Sequence, residues 1–491
     1  MDGFYTAFTG LLTAKGELIM DAIMPVLLWL DDVMYYPILV VVLVAAGLYF
    51  TVRTGLMQLR LFPECFRVVL EKPAEGGEVS SFQALMVSTA SRVGTGNIIG
   101  ISTAICLGGP GAVFWMWAIA LIGGSTAFIE STLAQIFKRR SSLGLSYGGP
   151  AYYIESALHN RFLASAFAIF LILTYAGGFN MLCSYNLQST FAAYSFYDAQ
   201  VTPWVIGGIQ ALLVAYCVLG GGRRIIKVTS VMVPVMGVIY ILAAVATILM
   251  NLSYLPHVLG LIFSDAFDFE AILGGVGGSC LMYGVKRGLF SNEAGIGSAP
   301  NAAASADVSH PVKQGLVQMF SVFLDTFLVC SATAFMCLMS GVPITKEGAG
   351  APYVQSAVTT IFGEFGPMLI TVSMVLFAFT TLIGNLYYVD NNLSFLHRGE
   401  PGRSFMTVFR LFCAFLVFIG AVLSMDAAWA IADILMACMA LINIPSILVL
   451  GGIAIAAMKD YEAQRKAGKN PVFLAKNIPG LDVSKLDFWK E

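Results

Sequence analysis

The apolar run over residues 83–107 is interrupted by the stretch Ser91-Arg92-Val93-Gly94-Thr95-Gly96-Asn97. Glycine costs about 1 kcal/mol per residue in a helix interior, and a charged side chain at membrane depth is usually functional or paired. Unwound backbone within a membrane persists only where it lines a cavity or is buried in protein. The stretch therefore predicts a membrane-spanning helix that is broken at a binding site.

The composition of the chain places this break in an all-α integral membrane protein. Of the 491 residues, 58% are hydrophobic and 11% are charged, and apolar runs of about 20 residues recur throughout. We expect an interfacial amphipathic segment over 1–33, a transmembrane transporter domain over 34–458 and a cytoplasmic tail over 459–491. Eleven spans are predicted near residues 34–53, 83–107, 111–137, 161–195, 203–220, 228–250, 270–290, 312–340, 353–396, 405–424 and 428–458.

The basic residues predict the orientation of these spans. One alternate set of loops, together with the tail, holds 24 of the 27 lysines and arginines, whereas the other set holds only Lys15 and Lys346. Because basic residues accumulate on the cytoplasmic side, the amino terminus is predicted outside and the carboxyl terminus in the cytoplasm, in a multi-pass protein of the inner (plasma) membrane.

A second glycine-rich stretch, Gly274-Gly275-Val276-Gly277-Gly278-Ser279, lies in the predicted seventh span. Such glycines can simply allow close helix packing. If the first span is set aside, however, ten spans remain, and they form two blocks of five, about 83–250 and 270–458. The two blocks have opposite orientations in the membrane, and each begins with an interrupted helix. Broken helices in matching positions of inverted repeats indicate a transport site near the midplane. We therefore predict that substrate binds at Gly94, Thr95, Gly96, Asn97, Gly277, Gly278 and Ser279.

Other classes of function find less support in the residues. The four histidines fall in predicted loops without the spacing of metal ligands, and no acid/base or metal constellation typical of an enzyme is evident. A channel would show a continuous polar pore. We therefore predict a carrier with no cofactor and no nucleic-acid partner, whose partners are a small substrate, an ion and the lipid bilayer.

Two motifs resemble a known family. The stretch 108–117, GGPGAVFWMW, resembles the first signature of the alanine or glycine:cation symporter family, and the stretch 288–300, GLFSNEAGIGSAP, is similar to its second signature. The resemblance covers nearly the whole chain and implies a sodium-driven carrier of small amino acids, proton-driven in some members, with a LeuT-type fold of 5+5 inverted helices preceded by one extra helix. We expect both signatures to serve structure, with Phe114, Trp115 and Trp117 at an interfacial helix entry and Pro300 in a loop.

The resemblance also implies roles for individual residues. The stretch 93–97 is similar to the V-G-x-G-N break of LeuT-type transporters, which implies that the amides of Thr95 and Gly96 bind the substrate carboxylate. Carbonyl and hydroxyl oxygens suit a hard cation such as sodium. The implied sodium ligands are Ala90, Val93, Thr380 and Thr381.

Two positions depart from the pattern of the family. Cys183 stands where alanine carriers of the family commonly have a glutamine that reaches the substrate, so glycine, serine or glutamine are alternative substrates, and proton coupling is an alternative to sodium. Arg92 lies beside the break as a possible charge site. It either replaces a second sodium, because two adjacent cations repel in a low dielectric, or pairs with a carboxylate such as Glu130 or Asp325.

Overall fold

The computed structural model describes residues 23–73, 77–140, 146–268 and 279–489, apart from the side chains of Tyr36 and Pro37, and is mainly helical. Two short antiparallel strands, β1 (Arg139–Arg140) and β2 (Ser146–Tyr147), pair with each other. The helices are α1 (Val40–Arg53), α2 (Met57–Arg60), α3 (Phe62–Val69), α4 (Ser81–Arg92), α5 (Ile99–Gly108), α6 (Ala112–Ile136), α7 (Pro150–Leu158), α8 (Arg161–Ala193), α9 (Thr202–Val218), α10 (Gly221–Met250), α11 (Leu255–Ala266), α12 (Cys280–Asn292), α13 (Pro300–Ala303), α14 (Val312–Leu338), α15 (Ala351–Phe362), α16 (Phe365–His397), α17 (Arg403–Gly420) and α18 (Met425–Lys466).

Seven of the described helices are long and apolar enough to cross a membrane. The seven are α6, α8, α10, α14, α16, α17 and α18. Shorter apolar helices cover Val40–Arg53, Thr95–Gly108 and Thr202–Val218. The chain is thus a multi-pass membrane protein, since spanning helices satisfy their own backbone groups in lipid.

The first described residues of the chain are helical. Residues 1–22 lie outside the described part, but residues 23–39 are helical and run without interruption into α1. A π-helical stretch, Met34–Leu39, lies within this continuous helix.

The predicted span over 353–396 is wrong as a single helix. The structure has two helices there, α15 and α16, and they are separated at Gly363, whose φ is +60°. A Cβ at Gly366 would lie 2.7 Å from the backbone nitrogen of Thr359, so the second helix folds back closely over the end of the first. Apolar composition alone could not reveal this turn because both helices are apolar.

Small residues let the central helix α6 pack closely against its neighbours. A Cβ at Gly284 of α12 would lie 2.6 Å from the Ala112 carbonyl oxygen, and a Cβ at Gly315 of α14 would lie 2.9 Å from the Phe128 carbonyl oxygen. Close approach of backbones at small residues is a common way for helices to associate in membranes. Helices α6, α12 and α14 therefore form one tightly packed group.

The loop count behind the predicted orientation needs a correction. Lys286 and Arg287 lie in the middle of α12 and form ion pairs there, instead of belonging to a loop. Without them, 22 basic residues remain on the predicted cytoplasmic side against Lys15 and Lys346 on the other. The asymmetry keeps its direction.

Candidate substrate and cation site at two helix breaks

The first break lies where the sequence predicts it. Helix α4 ends at Arg92, Val93 leaves the helical conformation with ψ at 85°, and a 3₁₀ turn over Thr95–Asn97 leads into α5. The Gly94 amide donates to Asn97 Oδ1 at 2.8 Å instead of to a carbonyl of α4. The break therefore redirects main-chain groups away from the normal helical pattern.

The structure describes only the last residue of the predicted second break. Residues 269–278, which include Gly277 and Gly278, are outside the described part, and Ser279 caps the start of α12 by accepting from the Met282 amide at 3.3 Å. The structure shows a break at the other end of α12, which stops at Asn292, about 20 Å from Ser279 at 1.5 Å per residue. This interruption is named the second break below.

The backbone after Asn292 explains the second break. Glu293, Gly295 and Gly297 all have positive φ, at 52°, 86° and 91°, before α13 begins at Pro300. Glycine adopts this region without strain, whereas Glu293 is an unusual occupant. The second family signature therefore contains the break, and Pro300, which we expected in a loop, begins α13.

The two breaks meet through Asp325 of α14. The Asn97 side-chain amide, at the first break, donates to Asp325 Oδ1 at 2.7 Å, and the Ser291 hydroxyl, just before the second break, donates to Asp325 Oδ2 at 2.8 Å. A Cβ at Gly96 would lie 2.7 Å from the ring of Phe290, so the breaks also touch directly. Asp325 is fully buried and binds both broken helices.

Helix α16 contacts the first break through one of the two predicted threonines. The Thr381 hydroxyl donates to the Ala90 carbonyl at 3.0 Å, and a Cβ at Gly94 would overlap this hydroxyl. The Thr380 hydroxyl instead lies 3.0 Å from the Leu376 and Phe377 carbonyls of its own helix and 3.3 Å from the Met236 sulfur. The structure thus brings Thr381 to the break and leaves Thr380 outside it.

Helix α8 supplies two polar groups beside the first break. Cys183 is buried, and its thiol donates to the Ala378 carbonyl at 3.6 Å. One turn further along, the Asn186 amide donates to the Thr95 hydroxyl at 3.1 Å, while its Oδ1 is buried without a hydrogen-bond partner in the described part of the chain. The sequence argument named Cys183 but missed Asn186, whose buried, free acceptor faces the same region.

Arg92 is buried among acids without pairing directly with them. Its Nη1 donates to the Gln318 carbonyl at 3.2 Å, and its Nε and Nη2 have no hydrogen-bond partner among the described residues. The charge of Arg92 acts on Glu130, Glu293 and Asp325. The predicted ion pair with Glu130 or Asp325 is replaced by hydrogen bonding to Gln318, with electrostatic attraction at longer range.

Glu130 and Asn443 together bind the N–H and the C=O of one residue in the second break. Its Oε1 accepts from the Gly295 amide at 3.3 Å, and its Oε2 accepts from the Asn443 side-chain amide at 2.7 Å. Asn443 also donates to the Gly295 carbonyl at 2.9 Å, and Tyr153 donates to Asn443 Oδ1 at 2.5 Å. This network holds Gly295 in its left-handed conformation, and the sequence argument did not foresee it because the partners are 148 or more positions apart.

Aromatic and charged side chains lie on α12 next to the breaks. Phe290 contacts Phe179 and Trp429, with ring centroids 4.7 and 4.8 Å apart. The Arg287 guanidinium lies 3.7 Å from the Trp429 ring centroid and pairs with Asp433 at 3.1 Å. Lys286 adds ion pairs to Asp31 at 2.5 Å and to Asp433 at 3.2 Å. These groups cover one end of the site. The sequence argument did not foresee this arrangement either.

Comparison with known proteins decides the family. Residues 20–475 match the family model described as the sodium:alanine symporter family. The chain belongs to this family. The family is one of symporters, which confirms that the chain is a carrier of the symporter class and not an enzyme.

Several curated members of the sodium:alanine symporter family are similar along most of their length. The amino-acid carrier protein AlsT of Bacillus subtilis (strain 168) is 43% identical, over 90% of this chain and 92% of that protein. The probable sodium/glutamine symporter GlnT of the same organism is 41% identical, over 92% and 94%. The sodium/alanine symporter AgcS of Methanococcus maripaludis is 36% identical, over 88% and 95%.

A solved structure shares the fold. The crystal structure of MhsT in complex with L-phenylalanine matches with a TM-score of 0.54 and 16% identity, over 79% of this chain and 91% of that chain. At this identity the likeness concerns the fold alone. The chain therefore has the LeuT-type fold that the resemblance implied.

Proposed function

We propose that this member of the sodium:alanine symporter family couples sodium to the uptake of small neutral amino acids, of the alanine or glycine type, by alternating access between the two breaks. The observation that carries the proposal is the contact of Asn97 and Ser291, one from each broken helix, with the buried carboxylate of Asp325. Broken helices that meet at membrane depth present the free amides and carbonyls that a zwitterion needs.

The substrate carboxylate would lie at the start of the 3₁₀ turn. In this proposal the amides of Thr95 and Gly96 bind it, because amides at the amino end of a helical turn attract anions. The Oδ1 of Asn186, which has no hydrogen-bond partner in the described part of the chain, would accept from the substrate ammonium. Cys183 lies one turn away and limits the space there.

The coupling cation would bind between α4 and α16. The oxygens of Ala90, Val93 and Thr381 suit a hard ion, and the Thr381 hydroxyl already lies 3.0 Å from the Ala90 carbonyl. Thr380 is left out of this proposed site because its hydroxyl contacts its own helix and Met236. Gly277, Gly278 and Ser279 remain predicted substrate residues, and the first two lie outside the described residues.

Arg92 would take the place of a second sodium, giving one sodium per amino acid. Its permanent charge lies among three buried acids, where another cation would be repelled. A measured ratio of two sodium ions per amino acid would contradict this proposal and would point to Asp325, Asn97 and Ser291 as ligands of the second ion.

The proposed topology has eleven spans with the amino terminus outside and the carboxyl terminus in the cytoplasm of a plasma membrane. The eleven spans would be the seven long helices together with α1, α9, α12 and the broken pair α4 and α5, which counts as one span. The proposed inverted repeats cover about 83–250 and 270–458. They are supported by a broken helix at the start of each block and by the basic bias of the loops.

Uptake into proteoliposomes tests the proposal. Radiolabelled alanine, glycine, serine and glutamine are offered under an inward sodium gradient, an inward proton gradient and no gradient. Accumulation of at least one amino acid only with sodium is expected. No accumulation of any of the four under the sodium gradient would overturn the proposed function, and accumulation with protons alone would overturn the choice of ion.

A further inference from the structure

The chain after α18 turns back over the helix bundle. The helix ends at Lys466, and Gly468, with φ at +74°, reverses the direction of the chain. Residues 467–489, here named the strap, then continue without regular structure except for the 3₁₀ turns Ala475–Asn477 and Val483–Lys485. Ala475, Ile478 and Leu486 of the strap are buried, so the strap is docked along its length.

Hydrogen bonds and aromatic contacts fix the strap at two places. Near its start, the Phe473 amide donates to the Ser309 carbonyl at 2.9 Å, and the Phe473 ring lies 5.2 Å from that of His310. At its end, the Trp489 indole donates to the Gln135 carbonyl at 2.9 Å, and Phe488 lies 3.9 Å from the Lys138 ammonium. The two places are joined because the Phe473 and Trp489 rings are 5.2 Å apart.

The residues under the strap connect the second break to the first. The Gln135 side chain donates to the Ala306 carbonyl at 2.8 Å, just beyond α13. Asp307 then accepts from the amides of Glu78 and Val79 at 2.8 and 3.1 Å, at the start of α4. The strap thus covers the segment 303–310, which ties together the ends of both broken helices on one side of the bundle.

The surface beneath the strap is charged as well as apolar. Lys138 and His310 are both buried, and burial lowers the pKa of Lys138 to about 7 and that of His310 to about 4. Burying such groups is costly. Lifting the strap would return them to water, and their hydration would offset part of the free energy lost when the apolar contacts separate. A cover of this kind can open reversibly, unlike a purely apolar core.

We propose that the strap is an autoinhibitory latch: docked through Phe473, Phe488 and Trp489, it holds segment 303–310 against the start of α4 and opposes opening of the site toward the side of the carboxyl terminus. The inference rests on the proposed alternating-access function. Opening on that side requires the cytoplasmic ends of the two broken helices to separate, and the strap stabilises the state in which they are joined.

Hydrogen exchange and uptake on the full-length protein test the latch. The double variant Phe488→Ala/Trp489→Ala removes the terminal anchor, and Leu474→Ala, at an exposed strap position, is the matched control. In the double variant we expect exchange of the amides in segment 303–310 to rise at least about tenfold and the initial rate of amino-acid uptake to rise at least about twofold. Leu474→Ala should change neither. The milder variant Trp489→Phe, which removes only the indole donor, should give an intermediate result if the double variant does not fold.

The outcomes separate the latch from the proposed function. Unchanged exchange in folded anchor variants would overturn docking by the strap, and raised exchange with unchanged or lower uptake would overturn its inhibitory role. If no variant and no wild-type protein takes up any amino acid, the proposed function fails, whereas exchange still shows whether the strap covers segment 303–310.

Discussion

The two helix breaks are held in different ways. The first break is met by a hydroxyl from α16 and an amide from α8, through Thr381 at 3.0 Å and Asn186 at 3.1 Å. The second is held by a buried carboxylate and an amide that together bind both the N–H and the C=O of Gly295. The comparison suggests that the first break exchanges contacts during transport, whereas the second is a fixed corner. Each prediction below tests one side of this contrast.

The largest expected effect is on the first break. In Gly94→Ala the new Cβ would overlap the Thr381 hydroxyl, so α16 and the break must separate. A displacement of about 1 Å in a site can cost about 100-fold in rate, and we expect sodium-driven uptake to fall by at least that factor. Initial rates in proteoliposomes check this. Gly452→Ala, where a Cβ meets open space, is the control, and equal uptake by the two variants would contradict the close contact.

The next effect concerns the stability of the second break. Asn443→Ala removes the donor to Glu130 and to the Gly295 carbonyl and leaves a buried carboxylate less satisfied. We expect the free energy of unfolding in detergent to fall by about 3 kcal/mol. Asn251→Ala, which loses only a bond within its own helix, should fall by less than about 1 kcal/mol. Similar losses in the two variants would show that the second break is not specially held.

The neighbouring threonines of α16 give a sharper test of the cation site. Thr381→Val removes the hydroxyl at the first break, whereas Thr380→Val removes one that contacts its own helix and Met236. Loss of one ligand, at about 1.4 kcal/mol, would raise the sodium concentration for half-maximal uptake about tenfold in Thr381→Val. Thr380→Val should shift it by less than about twofold, because no ligand is lost. Equal shifts would remove Thr381 from the site.

The smallest predicted effect is the pH dependence of strap docking. Burial lowers the pKa of His310 to about 4 from an ordinary value of 6.5, with Asp460 opposing and Lys313 adding to the shift. Above pH 6.5 His310 is neutral whether the strap is docked or free, and as the pH falls from 6.5 toward 4 only the free form gains a proton. Between pH 7 and pH 6 the titration of His310 by itself should raise the ratio of free to docked strap about threefold.

Hydrogen exchange of the strap, corrected for the intrinsic effect of pH, measures this ratio. His310→Gln is the control, because it removes the contribution of His310 and leaves that of Lys138, whose pKa burial lowers to about 7. An exchange rate that stays constant between pH 7 and pH 6 in the wild-type protein would contradict a buried, neutral His310.

The sequence was sufficient to predict the fold class and the first break. Glycine and arginine inside an apolar run have few explanations other than a break, and Gly94 and Gly96 indeed lie where Thr381 and Phe290 leave no room for a side chain. The family signatures are local in sequence as well, so the family could be predicted from them.

The second break could not be predicted in the same way. The prediction rested on glycine-rich residues 274–278, which lie outside the described residues, while the break that the structure describes uses Gly295 and Gly297 within a polar stretch typical of a loop. Its stability depends on Glu130 and Asn443, which are far away in the sequence. Asp325 was named only as a possible partner of Arg92, because its contacts with Asn97 and Ser291 exist only after three helices have packed.

A structure of the protein with sodium and its best-transported amino acid bound tests the central claim most directly. Our account predicts the amino acid between the two breaks, with its carboxylate within hydrogen-bond distance of the Thr95 and Gly96 amides. It also predicts a cation coordinated by the carbonyls of Ala90 and Val93 and the hydroxyl of Thr381. An amino acid bound away from both breaks would contradict the account.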